Sequence, residues 1–96
     1  MNRWAYVLVY DDNVGTRDEV KAFLDSRPEI LNWASCMPHA FFLVSDKTAT
    51  TLQQLISTFN KNGGNFIILD AKTDRNGWLP RKYWDFLNFP KGVGEP

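Results

Sequence analysis

Apolar and polar positions along this chain alternate between two periods, and the change of period marks out its elements. Residues 4–10, Trp-Ala-Tyr-Val-Leu-Val-Tyr, are an unbroken run rich in β-branched and aromatic side chains, which predicts a strand buried on both faces. The run stops at Asp11, and Asp12-Asn13-Val14-Gly15 supplies turn residues. Thr16-Arg17-Asp18-Glu19 has capping-box spacing: a Thr16 hydroxyl at the N-cap and a Glu19 side chain reaching back to its amide. Val20, Phe23 and Leu24 then make one apolar stripe at helical spacing. Pro28 ends that helix by residue 27.

Residues 30–37 predict a second strand, less regular than the first, and residues 40–44 a third. Only Pro38 and His39 separate them, so the two form a hairpin. Thr48 is placed to cap a second helix, in which Leu52, Leu55, Ile56 and Phe59 fall at i, i+3, i+4 and i+7. Asn62-Gly63-Gly64 is expected to stop it, with a glycine in the left-handed position after the last turn. Phe66-Ile67-Ile68-Leu69 reads as a fourth strand, closing at Asp70. After a loop through Gly77, Pro80 suits the first turn of a short helix to Asn88, with Tyr83, Trp84 and Leu87 as its apolar side.

The order β-α-β-β-α-β is the split βαβ plan. It predicts an α/β (α+β) protein with a ferredoxin-like βαββαβ fold, a four-stranded antiparallel sheet and a short C-terminal helix. Residues 1–88 form the single domain and residues 89–96, with two prolines and two glycines, a flexible tail. Two helices cover one face of the sheet, and the other face is left without cover from its own chain. Trp4, Tyr6 and Tyr10, read as pointing outward there, make a solvated face unfavourable, so the expected state is a homodimer.

Composition narrows the functions. At 96 residues and 44% hydrophobic, the chain can build one core without metal or disulfide staples, and four tryptophans put its aromatic share at 15%. Eleven basic and eleven acidic residues cancel. That balance argues against broad phosphate-backbone binding, which favours a basic excess, and leaves room for a local patch. One cysteine, Cys36, excludes an intrachain disulfide. The apolar start is too short for a membrane span and lacks a small-residue cleavage site, so a cytoplasmic protein with no membrane association is expected.

Tyr10-Asp11 at the end of the first strand, Ser45-Asp46-Lys47-Thr48 before the second helix, and Asn76-Gly77-Trp78-Leu79 after the fourth strand make residues 4–88 resemble the SinR-type small proteins. Those are in turn similar to the CRISPR-associated Cas-two nucleases and the VapD-type toxins. The resemblance implies a ferredoxin-like homodimer. In its active nucleases, an aspartate at the Asp11 position meets its dimer mate and holds a divalent metal, Mg2+ or Mn2+. This chain departs from the pattern at the start of its third strand, where Ala40 and Phe41 replace a small hydroxyl residue.

Asp11 is therefore the candidate catalytic residue and metal ligand. Magnesium takes one or two protein carboxylates and keeps its waters, one of which could attack a phosphodiester. The structural alternative is that Asp11 and Asp12 simply open a turn. His39, the only histidine, reads as a solvated turn residue, and Cys36 as a buried inert thiol. Asn62-Gly63-Gly64-Asn65 lacks the lysine and strand-loop-helix order of a phosphate loop. Arg75, Arg81 and Lys82, with Lys72, are candidates to contact a nucleic-acid backbone; interleaved with Asp70, Asp74 and Asp85, they read alternatively as a solvated mixed-charge surface. Trp33, Trp78 and Trp84 could stack bases, with core or interface packing as the alternative. Two functions follow. One is a metal-dependent nuclease of ribonuclease type; the other is a non-catalytic dimeric module binding nucleic acid or protein.

Overall fold

The capping box at Thr16 forms as its spacing predicts. The Thr16 hydroxyl accepts from the Glu19 amide at 3.2 Å, and Glu19 Oε1 accepts from the Thr16 amide at 2.8 Å. It opens the first of three helices in a computed structural model that describes residues 2–72 and 74–95. The elements are β1 (Trp4–Tyr10), α1 (Arg17–Ser26), β2 (Asn32–Met37), β3 (Ala40–Ser45), α2 (Ala49–Phe59), β4 (Phe66–Asp70) and α3 (Arg81–Asn88). The sheet order is β2-β3-β1-β4, antiparallel throughout, as a ferredoxin-like βαββαβ fold requires. Among the described residues, no helix is long and apolar enough to cross a membrane.

Local chemistry sets most boundaries. Thr48 caps α2 by accepting from the Thr51 amide at 3.2 Å. α2 stops at Asn60, whose side chain brackets Gly64 by donating to its carbonyl and accepting from its amide, both at 2.8 Å. The glycine with positive φ, Gly63 at 66°, lies in the turn beyond and not directly after the cap, because Asn60 does the stopping. β2 begins at Asn32 and not at residue 30, since Ile30 is drawn into the core ahead of the strand.

Facing of the strands departs from the sequence expectation. Tyr6 and Tyr10 are buried beneath α1 and α2, with Trp4 packed beside them, in one cluster with Leu8, Leu24, Phe41, Leu43, Leu52 and Ile56. Burying a phenol is tolerable when its hydroxyl finds a partner. Tyr6 donates to the Lys47 carbonyl at 2.7 Å and Tyr10 to the Pro38 carbonyl at 3.2 Å. Leu55 packs only half-buried against this cluster, while Leu52 and Ile56 sit in its middle.

The opposite face carries the alternate residues of β1 and is not bare. α3 lies across it, and Leu87 packs with Ala5, Phe42 and Ala71, flanked by Tyr83 and Trp84. The expectation of a face without cover from its own chain is thus corrected: eight helical residues with one apolar side suffice to roof its centre. Beyond that roof an apolar strip stays open, with Val9 42%, Ile67 53% and Leu69 48% exposed. The C-terminal segment turns back toward β2. Val93 N donates to the Leu31 carbonyl at 3.0 Å, and Glu95 pairs with Arg3 at 3.0 Å.

Candidate functional site

Asp11 ends β1 by serving its own turn. Its amide donates to the Asn65 carbonyl at 3.0 Å, continuing the β1–β4 ladder by one rung. Oδ1 accepts from the Asn13 amide, and Oδ2 accepts from both the amide and the side-chain amide of Asn65, each at 3.1 Å. The Asp11 carbonyl accepts from Val14 N at 3.1 Å, which closes the turn. Gly64 makes this approach possible: a Cβ there would lie 2.2 Å from Val14 N and 2.6 Å from Asp11 Oδ1. Hydrogen bonds, led by the Asn65 amide, hold the Asp11 carboxyl below the usual carboxylate range, so it is ionised at neutral pH.

Three donors engage both oxygens of that carboxylate, so its own turn takes up most of its acceptor capacity. Asp12 points elsewhere and meets His39 Nε2 at 2.7 Å, on an open surface. The Tyr10 and His39 rings lie 5.7 Å apart beside them. From α1, Arg17 clasps the same hairpin end, donating to the Met37 carbonyl at 2.7 Å and to Ser35 Oγ at 2.9 Å. Cys36, expected to be buried, is exposed on β2. Among the described residues, no three His, Cys, Asp or Glu side chains converge as a metal-binding set.

A second place is built by the C-terminal segment. α3 and the loop before it enclose a groove of about 430 Å³ on the open sheet face. Val7, Phe42, Leu69, Trp84 and Leu87 line it, with Trp78 at its mouth. Trp78 is 86% exposed, so it packs in no core, whereas Trp84 is half-buried under Arg75, whose guanidinium lies 5.7 Å from the ring. Arg75 Nη2 donates to the Asn88 side chain, and Nη1 is buried without a partner among the described residues. Trp33 belongs to the other face, edge-on to Phe41 at 5.3 Å with its indole N–H on Asp25 at 2.7 Å.

Of the basic candidates, Arg75 is thus committed to α3. Arg81 and Lys82 stand exposed at the start of that helix, Lys82 over the Tyr83 ring at 5.1 Å. Asp11 does not line the groove that holds Trp78. Two residues escaped sequence reasoning. Asn65 is the counterpart of Asp11 from 54 residues away, and Arg17 is a clasp hidden inside a capping box. An asparagine directly after Gly63-Gly64 was the one visible signal for the first. No protein family, curated protein or solved structure matches the chain.

Proposed function

We propose that this protein is a non-catalytic dimeric module of the cytoplasm that binds a protein partner through the open sheet face. The observation carrying this reading is the apolar groove beside α3 with the exposed Trp78 at its mouth. Exposed aromatics over an apolar floor are the anchors and pockets that protein interfaces use. The net charge of zero favours a protein partner over a nucleic acid held by phosphates.

One observation favours the nuclease reading: Asp11 is held ionised at a strand end, as a carboxylate ligand of Mg2+ or Mn2+ must be. That mechanism, which goes with the SinR-type and Cas-two resemblance, needs a second copy to bring another Asp11. Against it stands the use of Asp11 by its own chain. A single set of measurements separates the two. Panning a random peptide library against the protein should enrich peptides with aromatic or aliphatic anchors, and Trp78→Ala should abolish their binding. RNA and DNA incubated with magnesium or manganese should stay intact. Cleavage by the wild type that Asp11→Asn abolishes, with the fold retained, would establish the nuclease instead. Binding of RNA that falls on neutralising Arg81 and Lys82 would move the contact to α3 and a nucleic acid.

A further inference from the structure

The two edges of the sheet are finished differently. β2 is guarded by an irregularity between Ala34 and Met37, by the Tyr83 hydroxyl donating to the Ser35 carbonyl at 3.3 Å, and by the Val93–Leu31 bond at its start. Natural edge strands are usually blunted by such devices, or by proline or lysine. β4 has none of them: its sequence is Phe66-Ile67-Ile68-Leu69-Asp70, paired to β1 in unbroken register. Asp11 N donates to the Asn65 carbonyl and Ala71 N to the Ala5 carbonyl. Residues 65, 67, 69 and 71 therefore turn their backbone toward β1, and Phe66, Ile68 and Asp70 present N–H and C=O to the free edge.

We propose that β4 is a self-pairing edge: a second copy adds its own β4 antiparallel about a two-fold axis through Ile68. The inference rests on the dimeric reading above and specifies its geometry. In this register all three outward-facing residues of each strand are bonded, Ile68 to its own copy and Phe66 to Asp70 of the second copy. A slip of two residues loses one bonded pair. On the open face, Ile67 falls opposite Leu69 of the second copy, at the close spacing of a non-bonded pair, so the two exposed apolar side chains of β4 cover each other. A chain of zero net charge offers no repulsion to a copy of itself. A foreign strand could use the same backbone edge, but it would not by itself supply these reciprocal apolar pairs.

Cross-linking reads the register directly. In a Cys36→Ser background, an equimolar mixture of Ile67→Cys and Leu69→Cys should give a disulfide-linked dimer on mild oxidation, while each variant alone should not. In sedimentation of the full chain at about 100 µM, a range suited to so small an interface, the wild type should be dimeric. Ile67→Lys should be monomeric with unchanged near-ultraviolet circular dichroism. A monomeric wild type would overturn both the dimer and the edge. A dimer that survives Ile67→Lys, or a mixture that fails to cross-link better than the single variants, would overturn the edge pairing and leave the dimer standing.

Discussion

The two faces of one sheet are put to different uses. Under α1 and α2, large side chains interlock: Tyr10 stacks on Phe41 at 5.9 Å, Phe23 on Phe59 at 4.5 Å, and Leu8, Leu24, Leu43 and Leu52 are fully buried. Across the sheet, alanines at positions 5 and 71 let one short helix settle close, and an apolar strip is left in water. The difference teaches that the first face carries the folding energy and the second is the surface with something left to bind. That division can be broken experimentally.

The largest effect belongs to the closed face. Phe41→Ala should cost about 3–5 kcal/mol and Leu52→Ala about 2–5 kcal/mol, measured by chemical unfolding. Leu87→Ala, beneath α3, should fall near the low end at about 2 kcal/mol, because the groove beside it lets neighbours relax. A Leu87 cost matching that of Leu52 would erase the distinction between the faces.

Titration sharpens it next. Burial raises the Tyr6 and Tyr10 hydroxyls above their ordinary value of 10.0. The unfolded chain then ionises first, so their stabilisation is complete below pH 10.0 and is lost as pH rises beyond it. Tyr6→Phe should flatten this alkaline limb in pH-dependent melts. Asp11 works with the opposite sign. Its carboxyl is held below 3.8, so its contribution is present above that pH and is lost as pH falls through the lower folded value. Asp11→Asn should flatten the acid limb only. The smallest stability effect is Trp78→Ala, within about 0.5 kcal/mol of wild type, yet it should remove peptide binding.

How much of this could be read from residues alone depended on range. The Thr16 box, the Pro38-His39 hairpin and the periodicity of α2 are local, and each formed where its spacing placed it. The facing of β1 was not legible, because seven consecutive apolar residues carry no alternation to say which side looks where. The buried side is the one packed under α1 and α2, where the two phenols find acceptors at Lys47 and Pro38, 41 and 28 residues away. The α3 apolar side was visible in Tyr83, Trp84 and Leu87, but not the surface it would roof. Asp11 was picked out as a carboxylate at a strand end, while its engagement depends on Asn65, across most of the chain.

Gly64 sets a rule for how this sequence can drift. The turn of Asp11 rests against its α-hydrogen, where a Cβ would sit 2.2 Å from backbone, whereas a Cβ at Gly63 meets nothing within 4 Å. The constraint at Gly63 is only its φ of 66°, which asparagine tolerates. Neighbouring glycines thus differ in what substitution they permit: position 63 is open to asparagine, while position 64 stays closed as long as β1 and β4 remain joined through Asp11 and Asn65. Any lineage that lost this glycine would have to rebuild that end of the sheet before Asp11 could take on other work.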